Sequence, residues 1–435
     1  MELETRTMRR VTWRLLPLLI LCYFIAFLDR VNIGFASLTM NTDLGLTATI
    51  FGQAAGVFFV SYVLFEVPSN LALEKFGASK WIARIMLTWG LLSGCMALVQ
   101  NEWSFMLVRF LLGAAEAGFF PGIIFYFTLW FPAQYRGRVI GYFSAGIPLS
   151  GMFGAPISGA LLRMDGINGL HGWQWMFMVE AVPAVLLSVV VFFLLTDRPG
   201  VARWLPPAEK EWLLHRLREE ARRRDHGQQG GLLKTVLAPK VLLLCVVYFG
   251  VLGGIYGASF FLPQIVAQFG FAPMTTSWVT AIPFTAGALA CVFWGRHSDV
   301  HNERKIHLMI SLAVGAGGLV AFAFMPTVLL KLLALTVAAA GIYSTMPAFL
   351  AMPPAFLPSS AAAGAIAMIN AMGNVSGYYA PALMGYLKDK TGGFEAGLMA
   401  LAAMAATSFV VAMTVNHNRK LEQSPVTGPE MSPAE

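Results

Sequence analysis

Twelve stretches of this 435-residue chain stay predominantly apolar for about twenty residues or more. They run approximately over Trp13–Leu38, Thr49–Leu73, Lys80–Val99, Trp103–Trp130, Val139–Leu162 and Trp173–Leu195, then Pro239–Ala267, Thr275–Trp294, Ile306–Met325, Leu329–Met352, Ala361–Leu387 and Phe394–Asn416. Wound as a helix, a run of that length crosses the hydrocarbon core of a bilayer. A helix also satisfies its own backbone where water is absent. The fold class expected is therefore an all-α membrane protein of twelve transmembrane helices. Hydrophobic residues make up 57% of the chain and charged residues 12%, against about 25% charged in soluble domains. The first run is too long for a cleavable signal and lacks a small-residue cleavage site, so it is expected to remain as the first helix.

Basic residues set the orientation. With an even number of spans both chain ends share a face, and 24 of the 30 Lys and Arg fall on it, against 4 on the other face. The positive-inside rule then makes both termini cytoplasmic. The net charge of +7 belongs to these loops and to anionic lipid, not to nucleic acid. Residues 1–196 form the first six spans and 239–420 the last six. Between them, 197–238 is a cytoplasmic linker in which Ala208–Arg224 reads as a surface helix; 421–435 is a Pro/Ser/Glu-rich tail expected to be disordered. Cys22, Cys95, Cys245 and Cys291 all lie in spans without ligand spacing, which predicts free thiols and no metal. The histidines show no metal spacing either, and His297 and His301 are expected to be solvated. No nucleophile–base constellation is present, so no enzyme is expected, and no cofactor.

Within the first span stands Leu28-Asp29-Arg30-Val31-Asn32. Charges at that depth cost several kcal/mol unless compensated, and usually mark function. Neighbours on a helix point about 100° apart, so Asp29 can face a partner while Arg30 faces a cavity. Away from the membrane faces the first half holds Asp29, Glu66, Glu116 and Glu180 with Arg30 and Arg109. The second half has no acid inside its spans. Proton-carrying carboxylates are thus expected in the first half. Arg30 is the natural anion clamp, because a guanidinium stays charged and meets a carboxylate with two parallel hydrogen bonds. Arg109 and Glu116, seven apart, sit about 10 Å apart along one helix face; pairing of Arg109 with Asp29 or Glu116 through another span is expected.

The two halves look like copies offset by about 225 positions: Asn70-Leu71-Ala72-Leu73-Glu74 answers Gly295-Arg296-His297-Ser298-Asp299, each before a basic loop. Such repeats place a transport site between the halves at mid-membrane. Along nearly the whole chain run Asp29-Arg30-Val31-Asn32-Ile33-Gly34, Phe65-Glu66-Val67-Pro68-Ser69-Asn70, Arg109-Phe110-Leu111-Leu112-Gly113 through Pro121, Arg136-Gly137-Arg138, Leu262-Pro263-Gln264-Ile265 and Gly295 to Lys305. With these motifs the chain resembles the major facilitator superfamily, in particular its anion:cation symporter branch, carriers of organic carboxylates such as tartrate, galactonate, phthalate and hydroxyphenylacetate.

The resemblance implies two six-helix bundles, a bacterial inner-membrane location, a monomer, and a small carboxylate moved with protons by alternating access. It implies that Arg30, Tyr62 and Asn370 bind substrate, that Asp29 and Glu116, with Arg109, carry the proton coupling, and that Glu74, Asp299 and Arg304 form a cytoplasmic gate. Where related carriers often have a polar residue and a tryptophan, this chain has Ile147 and Leu350. Both changes favour a less hydroxylated acid, such as an aromatic one, over a sugar acid. An organic-anion exchanger or exporter on the same fold, and a membrane sensor that binds without transporting, stay open as alternatives.

Overall fold

The computed structural model describes residues 2–225, 237–301, 303–350, 352 and 362–415. Among these it contains α1 (Glu2–Asp43), α2 (Ala48–Phe76), α3 (Ala78–Cys95), α4 (Glu102–Glu116), α5 (Phe119–Trp130), α6 (Ala133–Ser144), α7 (Gly146–Leu162) and α8 (Gly172–Leu194). After the connecting helix α9 (Pro207–Asp225) come α10 (Pro239–Ala267), α11 (Pro273–His301), α12 (Lys305–Phe324), α13 (Val328–Leu350), α14 (Ala362–Thr391) and α15 (Glu395–Thr414). Taking α4 with α5 and α6 with α7, eleven spans are long and apolar enough to cross a membrane. The 30-residue α14 completes the twelve. The face carrying both chain ends is called the near face below, the opposite one the far face.

Two stretches expected to be single helices are broken, and the sequence explains each break. At Ala117–Gly118 the chain turns through a left-handed Gly118, φ 84°, before α5 begins with Pro121 in its first turn. A side chain at Gly118 would be strained in backbone and would meet Ser69 Oγ at 2.4 Å. At Ala145, between α6 and α7, Pro148 has no N–H to offer the carbonyl of Ser144 four residues back. The first break matters for function, because it leaves Glu116 as the last residue of α4.

The near face is tied to the first bundle by ion pairs. Glu209 of α9, almost fully buried, is ion-paired with Arg6 at 3.1 Å and Arg10 at 3.5 Å on the extension of α1, and Arg136 meets Glu220 at 2.6 Å. The linker helix is therefore docked, with Leu213 fully buried beneath it.

The two bundles meet mainly across the far half of the membrane. A β-carbon at Gly52 would lie 2.2 Å from the Pro381 carbonyl, and one at Gly385 2.0 Å from that of Ala48, so α2 and α14 touch backbone to backbone. Between α7 and α11, Gly159 makes room for the Ser277 side chain and Gly151 for the Phe284 ring. A cap crosses the interface too: Asp389 at the end of α14 accepts from the backbone N–H of Ala48 at 3.2 Å and Thr49 at 2.7 Å and from the Thr49 hydroxyl at 2.6 Å. It thus satisfies the exposed first turn of α2 from the other bundle. The far side is closed.

A candidate substrate and proton site

Asp29 and Arg30 point to different compartments, as helical geometry requires. Arg30 enters the space between the bundles. Its guanidinium is ion-paired to Glu116 and donates through Nη1 to the Tyr256 hydroxyl of α10 at 3.2 Å. The rings of Phe27, Phe58, Phe59 and Tyr62 surround it, 5.0 to 5.8 Å from ring centre to guanidinium carbon. Arg30 is 6% exposed and Glu116 1%, so the pair sits in a medium where Coulomb attraction is strong and the loss of a partner costly. Arg30 Nε has no hydrogen-bond partner among the described residues. One donor of its fork is thus left without a partner while Glu116 and Tyr256 hold the other two nitrogens.

Asp29 turns away into the first bundle. It accepts from the indole of Trp89 at 2.7 Å and the hydroxyl of Ser93 at 3.2 Å, both on α3 one turn apart. No cation pairs with it among the described residues. Tyr62 is stacked at 5.9 Å on Phe58 with its ring toward Arg30.

One expectation is corrected. Arg109 pairs with neither Asp29 nor Glu116. Its Nε and Nη2 donate to the carbonyls of Ala54 at 3.4 Å and Ala55 at 3.2 Å, and its guanidinium covers Phe58 at 4.9 Å. Arg109 therefore clamps α4 to α2 at a point where Gly113 also packs on the Phe58 carbonyl. The Asn370 amide donates to Glu66 Oε1 at 2.9 Å, a bond between α14 and α2. Glu66 thus takes a second cross-bundle bond. His297 and His301 are exposed, as expected, and sit beside the buried His307. His297 Nδ1 lies 2.8 Å from His307 Nε2, and His307 Nδ1 lies 3.2 Å from Glu303, with the His297 and His301 rings stacked at 4.1 Å.

Of the gate residues, Glu74 is exposed at the end of α2, and Arg304 donates to Ser298 Oγ at 3.0 Å. The side chain of Asp299 lies outside the described residues. A group the sequence reading did not single out holds the first loop: Asp197, just after α8, accepts from the Ser79 N–H at 2.7 Å and caps α3. Tyr256, Trp89 and Ser93 were missed as well. Only the spacing of Trp89 and Ser93, two donors four apart on one face of a span, could have pointed to them.

The Major Facilitator Superfamily model matches residues 19–265 and 244–433. A protein of Agrobacterium vitis named "Putative tartrate transporter" is 48% identical over 95% of this chain and 92% of its own. The "Quinolone resistance transporter" of Acinetobacter baumannii is 40% identical over 95% and 96%. Among solved structures, the xylose transporter XylE from E. coli, in a partially occluded inward-open conformation, aligns with a TM-score of 0.76. It covers 92% of this chain and 97% of that one at 14% identity, a likeness of fold alone. The chain belongs to the Major Facilitator Superfamily and is a multi-pass membrane transporter.

Proposed function

We propose that this transporter takes up a small organic carboxylate of the tartrate kind together with protons, by alternating access across a bacterial inner membrane with both termini on the cytoplasmic side. The observation that carries this reading is the buried Arg30, ion-paired to Glu116 on one nitrogen and unpartnered on Nε. While Glu116 is ionised it neutralises the guanidinium, and the site offers no net charge to an anion. A proton on Glu116 removes that charge and frees the second nitrogen. A carboxylate can then take the fork with two parallel hydrogen bonds, with the Tyr256 and Tyr62 hydroxyls beside it for further polar groups. Proton and anion therefore bind cooperatively, by a coupling of roughly 1–3 kcal/mol. Loss of the proton on the cytoplasmic side restores the ion pair and expels the substrate. The Agrobacterium relative's printed name favours a hydroxylated diacid over an aromatic acid.

The test is uptake of labelled tartrate into proteoliposomes under an inward acid gradient. Wild type accumulates it above equilibrium. Glu116→Gln exchanges tartrate across the membrane without accumulating it, and Arg30→Ala does neither. Accumulation by Glu116→Gln equal to wild type would remove Glu116 from the proton path. The quinolone-resistance relative favours one second reading, export driven by protons entering. Stimulation by the opposite pH gradient would select it.

A further inference from the structure

Behind Arg30, on the other side of α1, lies a second polar cluster that the uptake cycle described above does not use. Glu180 of α8 is 2% exposed. Its Oε1 accepts from Ser158 of α7 at 2.7 Å, and its Oε2 has no partner. Asn32, one turn beyond Asp29 on the same face of α1, is fully buried. Its amide faces the Glu180 carboxyl, yet both the nitrogen and the oxygen lie outside hydrogen-bond geometry with any described group. A bare carboxylate oxygen in hydrocarbon is costly, and so is an unbonded amide beside it. A proton on Oε2 removes the charge and supplies an O–H that can donate to Asn32 Oδ1.

The surroundings fit this. Among the described residues Asp29 is the one titratable group whose charge reaches Glu180, and α3, α7 and the turn after α3 bring none. Asp29 in turn has Trp89 and Ser93 as neutral donors and feels the charge of Glu116. Two carboxyls therefore share a cation-free compartment, and like charges there cannot both be ionised cheaply. Asp29 stands between Glu180 and the Arg30–Glu116 pair.

We propose that Glu180 and Asp29 form a second proton-binding site, walled off from substrate, which loads and empties once in each transport cycle. The inference rests on the proton-coupled reading above and adds to it a proton that never meets the carboxylate. The proton arrives on Glu180 Oε2, bonds to Asn32, and leaves from the same carboxyl pair; no bond but O–H forms or breaks.

Proteoliposomes holding full-length protein decide it through the proton-to-tartrate ratio. With the membrane potential clamped at zero, each coupled proton adds about tenfold to steady accumulation per unit of pH gradient. Glu180→Gln is expected to bind tartrate as wild type does, in a thermal-shift titration, and to accumulate about tenfold less per unit. An undiminished ratio in Glu180→Gln, or a wild-type ratio of one, overturns this inference alone. Wild-type uptake indifferent to the gradient overturns the symport reading and this inference with it. Should Glu180→Gln fail to fold, Ser158→Ala keeps the carboxyl and removes its donor. The pH of half-maximal uptake should then move by about half a unit to one unit, and an unmoved profile overturns the proposal.

Discussion

Two guanidiniums share the ring of Phe58, Arg30 at 5.1 Å and Arg109 at 4.9 Å, and they do different work. Arg109 is spent on backbone carbonyls of α2, and Arg30 on a carboxylate that can lose its charge. Lysine keeps the charge of either but has no planar fork. Arg30→Lys should therefore weaken tartrate binding by tenfold or more, with little change in the melting temperature of the empty protein. Arg109→Lys should lower that melting temperature by several degrees and leave affinity within about threefold. Thermal-shift titrations in detergent separate the two. The reverse pattern would give Arg109 the substrate role. At this scale the sequence was half legible. A charged pair in an apolar run announces itself, and so does the lone Glu116. Which acid Arg30 meets depends on the rotation of α4 about its axis, fixed by Gly113 packing on α2 and by the break at Gly118. No local pattern encodes that rotation, and so Arg109 was given an acid it does not touch.

At the scale of helices, α2 and α14 form the hinge line between bundles. Close approach at Gly52 and Gly385 brings them together, Asp389 caps the far end, and Glu66 with Asn370 bonds nearer the other face. Burial alone would raise the Asp389 carboxyl. The hydrogen bonds from Thr49 and the Ala48 backbone outweigh it and hold the group below its ordinary value of 3.8. A depressed value means that the cap contributes fully above that ordinary value and is lost as pH falls through the lower, capped one. Asp389→Asn should thus loosen far-side closure at neutral pH, and strong acid should do the same to wild type. Spin labels at Thr42 and Lys390 would report it as a longer distance in the variant. Equal distance distributions in variant and wild type would contradict a closing role for the cap. Most helices were legible from hydropathy to within a few residues, but the first begins at Glu2, well before the apolar run that starts at Trp13, and the eighth span runs on to His301 past Trp294. The two breaks were not, because Gly and Pro are tolerated inside membrane helices and only the packed neighbour decides whether they interrupt one.

Over the whole molecule the polar groups sort into layers. Capped loops and the docked α9 lie at the near face, the Arg30–Glu116 pair between the bundles, the Asp29–Glu180 compartment inside the first bundle, and the Asp389 cap at the far face. The second bundle supplies Tyr256 and Asn370 but no buried acid within its described spans. On the proposed reading, alternating access moves a wall without buried acids past a titrating one, and the switch that meets substrate is one carboxylate and one guanidinium. The most direct measurement of that switch is tartrate affinity by calorimetry on wild type and Glu116→Gln at pH 5.5 and 7.5. The switch predicts that wild type binds at least about tenfold more weakly at the higher pH, while Glu116→Gln binds tightly at both. Loss of binding in Glu116→Gln, or a pH slope as steep as that of wild type, would contradict it.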